Sequence, residues 1–161
     1  MKIYVGFSYP KNFKIGAAAI SFWDNTKYSH VYLRFGYSGS KDAIFHAAHG
    51  MVHFKSCNNF FKVNNVVHEY EIHVTERQHV DLFDECMELA GEPYSTMQLL
   101  KLFITDTIYR ITNKVYRFKD SPGYICSELV SKLCFDVLKI PFNKPAFLLK
   151  PKDVYEALKD Y

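Results

Sequence analysis

The chain has little net charge, no paired cysteines and no long apolar run, and each shortage removes a class of function. A formal net charge of +3 is too small for a nucleic-acid surface unless the basic residues are concentrated, so no nucleic-acid partner is expected. The four cysteines, Cys57, Cys86, Cys126 and Cys134, show no paired spacing, which argues for reduced thiols over a disulfide framework. No segment approaches the roughly 20 apolar residues of a membrane span, and the apolar run at 3–7 is too short for a secretory signal. Together these absences predict a cytoplasmic protein. Tryptophan occurs once, although aromatic residues make up 17% of the chain with 14 Phe and 12 Tyr, which fits an aromatic core or a groove lined by rings. No repeat, low-complexity tract or linker interrupts the 161 residues. One domain over 1–161 is expected, large enough to bury a core without staples.

What is present is clear periodicity. Residues 28–35 alternate Val31, Leu33 and Phe35 against His30, Tyr32 and Arg34, the signature of a strand with two unlike faces. Residues 3–7, 42–48, 50–54 and 66–74 also read as strands, joined by short connections into a mainly antiparallel sheet. Residues 15–23 carry both helix-favouring Ala17-Ala18-Ala19 and strand-favouring Ile20-Ser21-Phe22, and a helix is the preferred reading. After Thr75 the period lengthens. Leu82, Phe83, Cys86, Met87 and Ala90 form one helical stripe stopped by Gly91; Met97, Leu100, Ile104, Ile108 and Ile111 form a second, begun by the N-cap residue Ser95. A short helix closes the chain at 153–159. Between 109 and 119, Arg110, Lys114, Arg117 and Lys119 mingle with Tyr109, Val115, Tyr116 and Phe118. That stretch fits a contact with an anionic surface, although a solvated helix face with long basic stems is the commoner origin of such a pattern.

The chemistry gathers around Tyr124-Ile125-Cys126-Ser127-Glu128-Leu129-Val130. From Cys126, apolar or thiol residues recur at Leu129, Val130, Leu133, Cys134, Val137 and Leu138, one face of a helix, and Ser121-Pro122-Gly123 before it is turn chemistry. Cys126 thus sits at a helix N-terminus, where unpaired N–H groups and the helix dipole favour a thiolate and a lowered pKa. The plain alternative is a buried, inert core thiol. Two histidines offer a base. His30 opens a strand, and His46 is the polar residue in the otherwise apolar Ala43-Ile44-Phe45-His46-Ala47-Ala48, where a buried imidazole requires a partner.

Four motifs occur in order: Tyr-Ser-His-Val at 28–31, Ile-Phe-His-Ala at 44–47, Gly-Glu-Pro-Tyr-Ser at 91–95 and Tyr-Ile-Cys-Ser-Glu-Leu-Val at 124–130. The series resembles the circularly permuted branch of the NlpC-type papain-like cysteine hydrolases, in which the histidine strand precedes the cysteine helix. The resemblance covers about residues 28–158 and includes the late Lys-Pro-Lys-Asp at 150–153. It implies an α+β, papain-like fold: a small, mainly antiparallel sheet packed on the helix that carries the nucleophilic cysteine. It implies Cys126 as nucleophile, His30 as general base and His46 in the third, polar position, with Tyr28, Tyr94 and Tyr124 along the substrate pocket and no cofactor or metal. Many members have a glutamate at the third position; a histidine there resembles the lecithin:retinol acyltransferase-like relatives. The implied activity is a thiol-dependent hydrolase or acyltransferase acting through a thioester. Its substrate is first an amide such as a peptidoglycan stem peptide, and alternatively a lipid acyl ester; a protein isopeptide bond stays open.

Two rival readings follow from the same residues. His46, His49, His53 and Cys57 are spaced by three, four and four, a zinc-like set if helical, but on two strands joined by a turn the side chains are expected to scatter across both faces. The second rival is a catalytically inactive family member that serves as a binding or particle component.

Overall fold

The computed structural model describes residues 1–36, 42–48, 50–114 and 122–159. The first four strands are Lys2–Pro10 (β1), His30–Phe35 (β2), Ala43–Ala48 (β3) and Met51–Ser56 (β4), and Asn64–His73 is β5. They form one five-stranded sheet in the order β4-β3-β2-β1-β5, with every ladder antiparallel. Among the described residues there are six α-helices: Ile15–Asp24 (α1), Cys57–Val63 (α2), Glu76–Leu89 (α3), Thr96–Thr112 (α4), Cys126–Asp136 (α5) and Pro151–Lys159 (α6). The architecture is α+β, as expected. None of these helices is long and apolar enough to cross a membrane.

The alternation in β2 explains the layering. Val31, Leu33 and Phe35 are fully buried in a core cluster that runs from Ile3 to Leu158 and takes in Leu82 and Cys86 of α3, Leu129, Val130 and Leu133 of α5 and Val154 of α6. The other face holds a smaller cluster of Tyr32, Ile44 and Phe60 under α2. Beside it, Arg34 bonds Asp42 and Glu69 at 2.7 Å each, and Tyr32 donates to Glu69 at 2.8 Å. Gly6 lies opposite Tyr32 in the β1–β2 register; a Cβ on it would fall 2.1 Å from the Tyr32 ring, so only glycine lets the ring cross the strand there.

Helix α3 begins with a reciprocal capping box between Thr75 and Gln78, and α4 begins with the Ser95 side chain accepting from the Gln98 amide, so three backbone donors are satisfied, the last by the cap the sequence indicates. Helix α2 was not anticipated. Its seven residues, Cys-Asn-Asn-Phe-Phe-Lys-Val, are too few to show a helical period, and Phe60 under the sheet fixes them instead. Of the basic stretch at 109–119, residues 109–114 end α4 and follow it, while 115–119 fall outside the described residues.

Helix α1 is tied to the rest by a buried charge cluster. Lys150 Nζ lies 3.1 Å from Asp24 Oδ1 and 3.5 Å from Asp106 Oδ2. Asp106 also accepts from Trp23 Nε1 and Arg110 Nε, each at 2.8 Å. Burial raises the Asp24 carboxyl above its ordinary pKa, with Lys150 pulling it back. Burial also opposes ionisation of Asp106, but the Trp23 hydrogen bond, Lys150 and Arg110 together hold it below the usual range. Replacing Lys150 with methionine removes the cation that faces the buried Asp24 carboxylate, while Asp106 keeps Trp23 and Arg110, and a buried charge stripped of its partner costs about 3 kcal/mol. Urea denaturation of Lys150→Met at neutral pH should show a loss of that order, with Lys150→Arg recovering part of it.

Candidate active site

The β2–β3 ladder pairs Phe35 with Ala43, Arg34 with Ile44 and Leu33 with Phe45, and stops there. Beyond Leu33, the start of β2 and the end of β3 leave a gap. A cleft of about 340 Å³ occupies it, lined by Ser29 and His30 on one side, His46, Ala47 and Ala48 on the other, and Cys126. Helix α1 closes it with Gly16, Ala17 and Ile20, and the start of α4 adds Tyr94, Thr96 and Leu99. Cys126, His30 and His46 therefore share one cleft, although 80 residues of sequence separate His46 from Cys126.

Cys126 is the first residue of α5 and is only 5% exposed. Its position is fixed by an interlock between the starts of α4 and α5. Tyr124 bonds Pro93 O through its amide at 2.9 Å, and Ser95 N donates to Tyr124 O at 3.1 Å. Gly123 makes the interlock feasible. Its φ is +89°, and a Cβ would lie 2.1 Å from the Pro93 carbonyl oxygen, so other residues are excluded by both strain and contact.

The expected lowering of the Cys126 pKa is not what the structure supports. Burial pushes the thiol up to about 11, and hydrogen bonds from the backbone amides of Val31, Ser127 and Cys126 itself only partly offset that. A helix N-terminus favours the thiolate by a modest amount. Removing the sulfur from water disfavours it by more, and the sequence shows the first effect while concealing the second. Burial therefore favours the neutral thiol over the thiolate.

His30 and His46 are in direct contact. His30 Nε2 lies 3.0 Å from His46 Nδ1, with the rings near perpendicular at 78°. His46 is 2% exposed, and Phe60 packs edge-on against it. A third imidazole adjoins them. His53 stands opposite His46 in the β3–β4 register, ring centroids 4.6 Å apart, with Nδ1 3.2 Å from Met51 O. Of the set His46, His49, His53 and Cys57, the turn at Gly50 sets a register in which only 46 and 53 are seen to face each other on one side of the sheet. Hairpin symmetry was the signal that could have found the pair. Cys57 lies apart, at the start of α2 beside Asp42. Among the described residues no group of three or more His, Cys, Asp or Glu could hold a metal ion, and His49 falls outside them.

The three tyrosines divide. Tyr94 lines the cleft, with burial raising its hydroxyl pKa and Cys126 adding to the rise. Tyr124 lies just behind it, bridged to Tyr94, and serves the interlock. Tyr28 is buried, with its ring against Phe7 and stacked on Tyr155 of α6, within the core that supports His30. The remaining thiols, Cys86 and Cys134, are free and buried, and burial raises both.

No family model matches the chain, and no curated protein matches it significantly.

A neutral buried thiol has a direct consequence. Iodoacetamide labelling of Cys126, followed by peptide mass spectrometry, should be slow at neutral pH and climb steadily as the pH approaches about 11. A fast plateau below pH 7 would instead reveal a preformed thiolate–imidazolium pair. Substituting Gly123 by alanine should open the α4–α5 interlock and lower stability by about 1–3 kcal/mol, read as a shift in the urea midpoint.

Proposed function

We propose that the chain is a thiol-dependent acyl hydrolase or acyltransferase of the circularly permuted papain-like type, with Cys126 as nucleophile, His30 as general base and His46 orienting His30. The observation that carries this reading is the 3.0 Å contact between His30 Nε2 and His46 Nδ1 in the cleft that Cys126 also lines. His30 and Cys126 line the same cleft, and His46 bonds the His30 ring from the β3 side. This is the logic of a nucleophile, a base and a group that fixes the base's orientation.

With burial favouring the neutral thiol, His30 works as a base during the attack itself. The sulfur bonds the carbonyl carbon of the substrate while its proton passes to His30. His30 then delivers that proton to the departing amine or alcohol, leaving a thioester on Cys126. Water, or an acceptor hydroxyl or amine, attacks the thioester with His30 again removing a proton, and the thiol is regenerated with the acyl group released. The backbone N–H of Cys126 is one donor to the developing oxyanion.

Two substrate classes follow from different grounds. An amide within a peptide, of the peptidoglycan kind, follows from the resemblance alone, which is an associational warrant. A lipid acyl ester is favoured by the cleft's lining, where Ala17, Ile20, Ala47, Phe60 and Leu99 offer apolar surface to an acyl chain.

The test is a paired screen of aminoacyl amides and fatty-acyl p-nitrophenyl esters. Cys126→Ala and His30→Ala should each lower turnover by about a thousandfold or more, with His46→Ala retaining a reduced rate. Quenched wild-type enzyme should carry the acyl mass on the Cys126 peptide. Full turnover by Cys126→Ala would refute the proposal.

A further inference from the structure

Helices α1 and α4 carry an apolar surface that the cleft does not use. On α1, Ile15, Ala19 and Phe22 lie at offsets of four and seven, on one face; Ile15 is 79% and Phe22 87% exposed, and Phe13 just before the helix is 78% exposed. On α4, Met97, Leu100, Ile104 and Ile111 continue the stripe, all exposed. The two helices are joined by the edge-on contact of Trp23 with Phe103, and Ala19, Phe22, Phe103, Ile104 and Thr107 line a shallow groove between them. A continuous apolar surface of this kind marks an interaction site.

Charge identifies the occupant. Residues 1–36 contain a single acid, Asp24, and residues 93–114 a single acid, Asp106, and both are consumed by Lys150 within the buried cluster. Lys14 and Lys27 flank α1, and Lys101 and Lys114 lie on and just after α4; Lys11 and Arg110 of the same stretches are engaged by the Phe61 carbonyl and Asp106. The acids are elsewhere, with six of them between Glu76 and Glu92 along α3 and the turn after it. Protruding rings and branched chains rimmed by lysines, with no exposed carboxylate from either helix, match the interface of an anionic bilayer, in which apolar groups enter between headgroups while amines meet phosphates. A two-fold contact between copies would instead set one basic rim against the other.

We infer that the α1–α4 face docks on anionic lipid bilayers, with Phe13, Ile15, Phe22, Ile104 and Ile111 inserted and the surrounding lysines on the headgroups. The inner sides of the same helices, at Gly16, Ala17, Ile20, Thr96 and Leu99, line the cleft, so docking sets the cleft beside the lipid. The inference stands on these two helices and does not rest on the thiol chemistry.

Trp23, the single tryptophan, lies within this face and reports on it directly. Vesicles of phosphatidylcholine alone, and of phosphatidylcholine with an equal part of phosphatidylglycerol, would be titrated into the protein while Trp23 emission and co-sedimentation are read. The expected result is a blue shift and sedimentation with the anionic vesicles, weakened by added salt. Phe22→Ser combined with Ile104→Ser should weaken binding by about tenfold or more, and Lys27→Glu with Lys114→Glu should weaken the anionic-vesicle binding. These positions are exposed, and an unchanged thermal melt would show that folding is retained. No binding to anionic vesicles, or binding untouched by the Phe22/Ile104 pair, overturns the proposal; so does light scattering that shows a dimer dissolved by that pair. Binding is read without turnover, so an inactive protein that docks and an active one that does not are told apart.

Discussion

The early end of the β2–β3 ladder is the constraint on which the rest of the molecule depends. Three residue pairs hold these strands together, and past Leu33 they part. The parting does two things at once. It opens the cleft and it puts the Val31 amide within reach of the Cys126 sulfur, while His30 and His46, diagonal neighbours on one face in the continued register, bond each other at its edge. Had the ladder run on, cross-strand hydrogen bonds would have taken the place of the cavity. The starts of α4 and α5, interlocked through Pro93, Gly123 and Tyr124, then fill the open end with a helix N-terminus.

Rigidity on the two sides of this cleft is of unlike origin. The strand side rests on the large apolar core and on the aromatic group of Phe7, Tyr28, Tyr70 and Tyr155 behind His30. The α1 side rests on polar contacts: Trp23 with Asp106, and Lys150 with two carboxylates. Helix α1 itself buries little, chiefly Ile20 and Asp24. Such contacts are directional, and a helix held by them keeps its place without a deep apolar footing.

Much of this was legible in the residues. The β2 alternation, the stripes of α3 and α4, the Ser95 cap and the helix beginning at Cys126 all follow from period and turn chemistry, because each is decided locally. Two things were not. The Cys126 pKa reversed direction because desolvation depends on what the fold stacks around the sulfur, and a helix N-terminus read from sequence carries no measure of that. Tyr28 lies two residues before the motif histidine, where strand alternation would place both on one face, yet it packs into the core against Phe7 and Tyr155, because the chain there precedes β2 and is not held to that alternation. The meeting of His30 and His46 falls between these cases. Their strand faces were readable, but not the β2–β3 register, which sets His30 diagonally beside His46.

The two margins of the sheet are finished differently, and this bears on whether the protein stays dispersed. Beside β4 the backbone is already paired, with Gly91 and Glu92 exchanging hydrogen bonds with Val52 and Pro93 bridged to Met51. Among the described residues strand β5 has only β1 as a neighbour, and it shows Val66 and Val67 to solvent, a template on which another extended chain could add. Its middle is tied inward by charge: Glu69 bonds Arg34 and Tyr32 of β2, and Glu71 bonds Lys2 and Tyr4 of β1. Those contacts fix β5 to its neighbours across the sheet face, and the outer backbone edge is the side on which edge-to-edge growth would start.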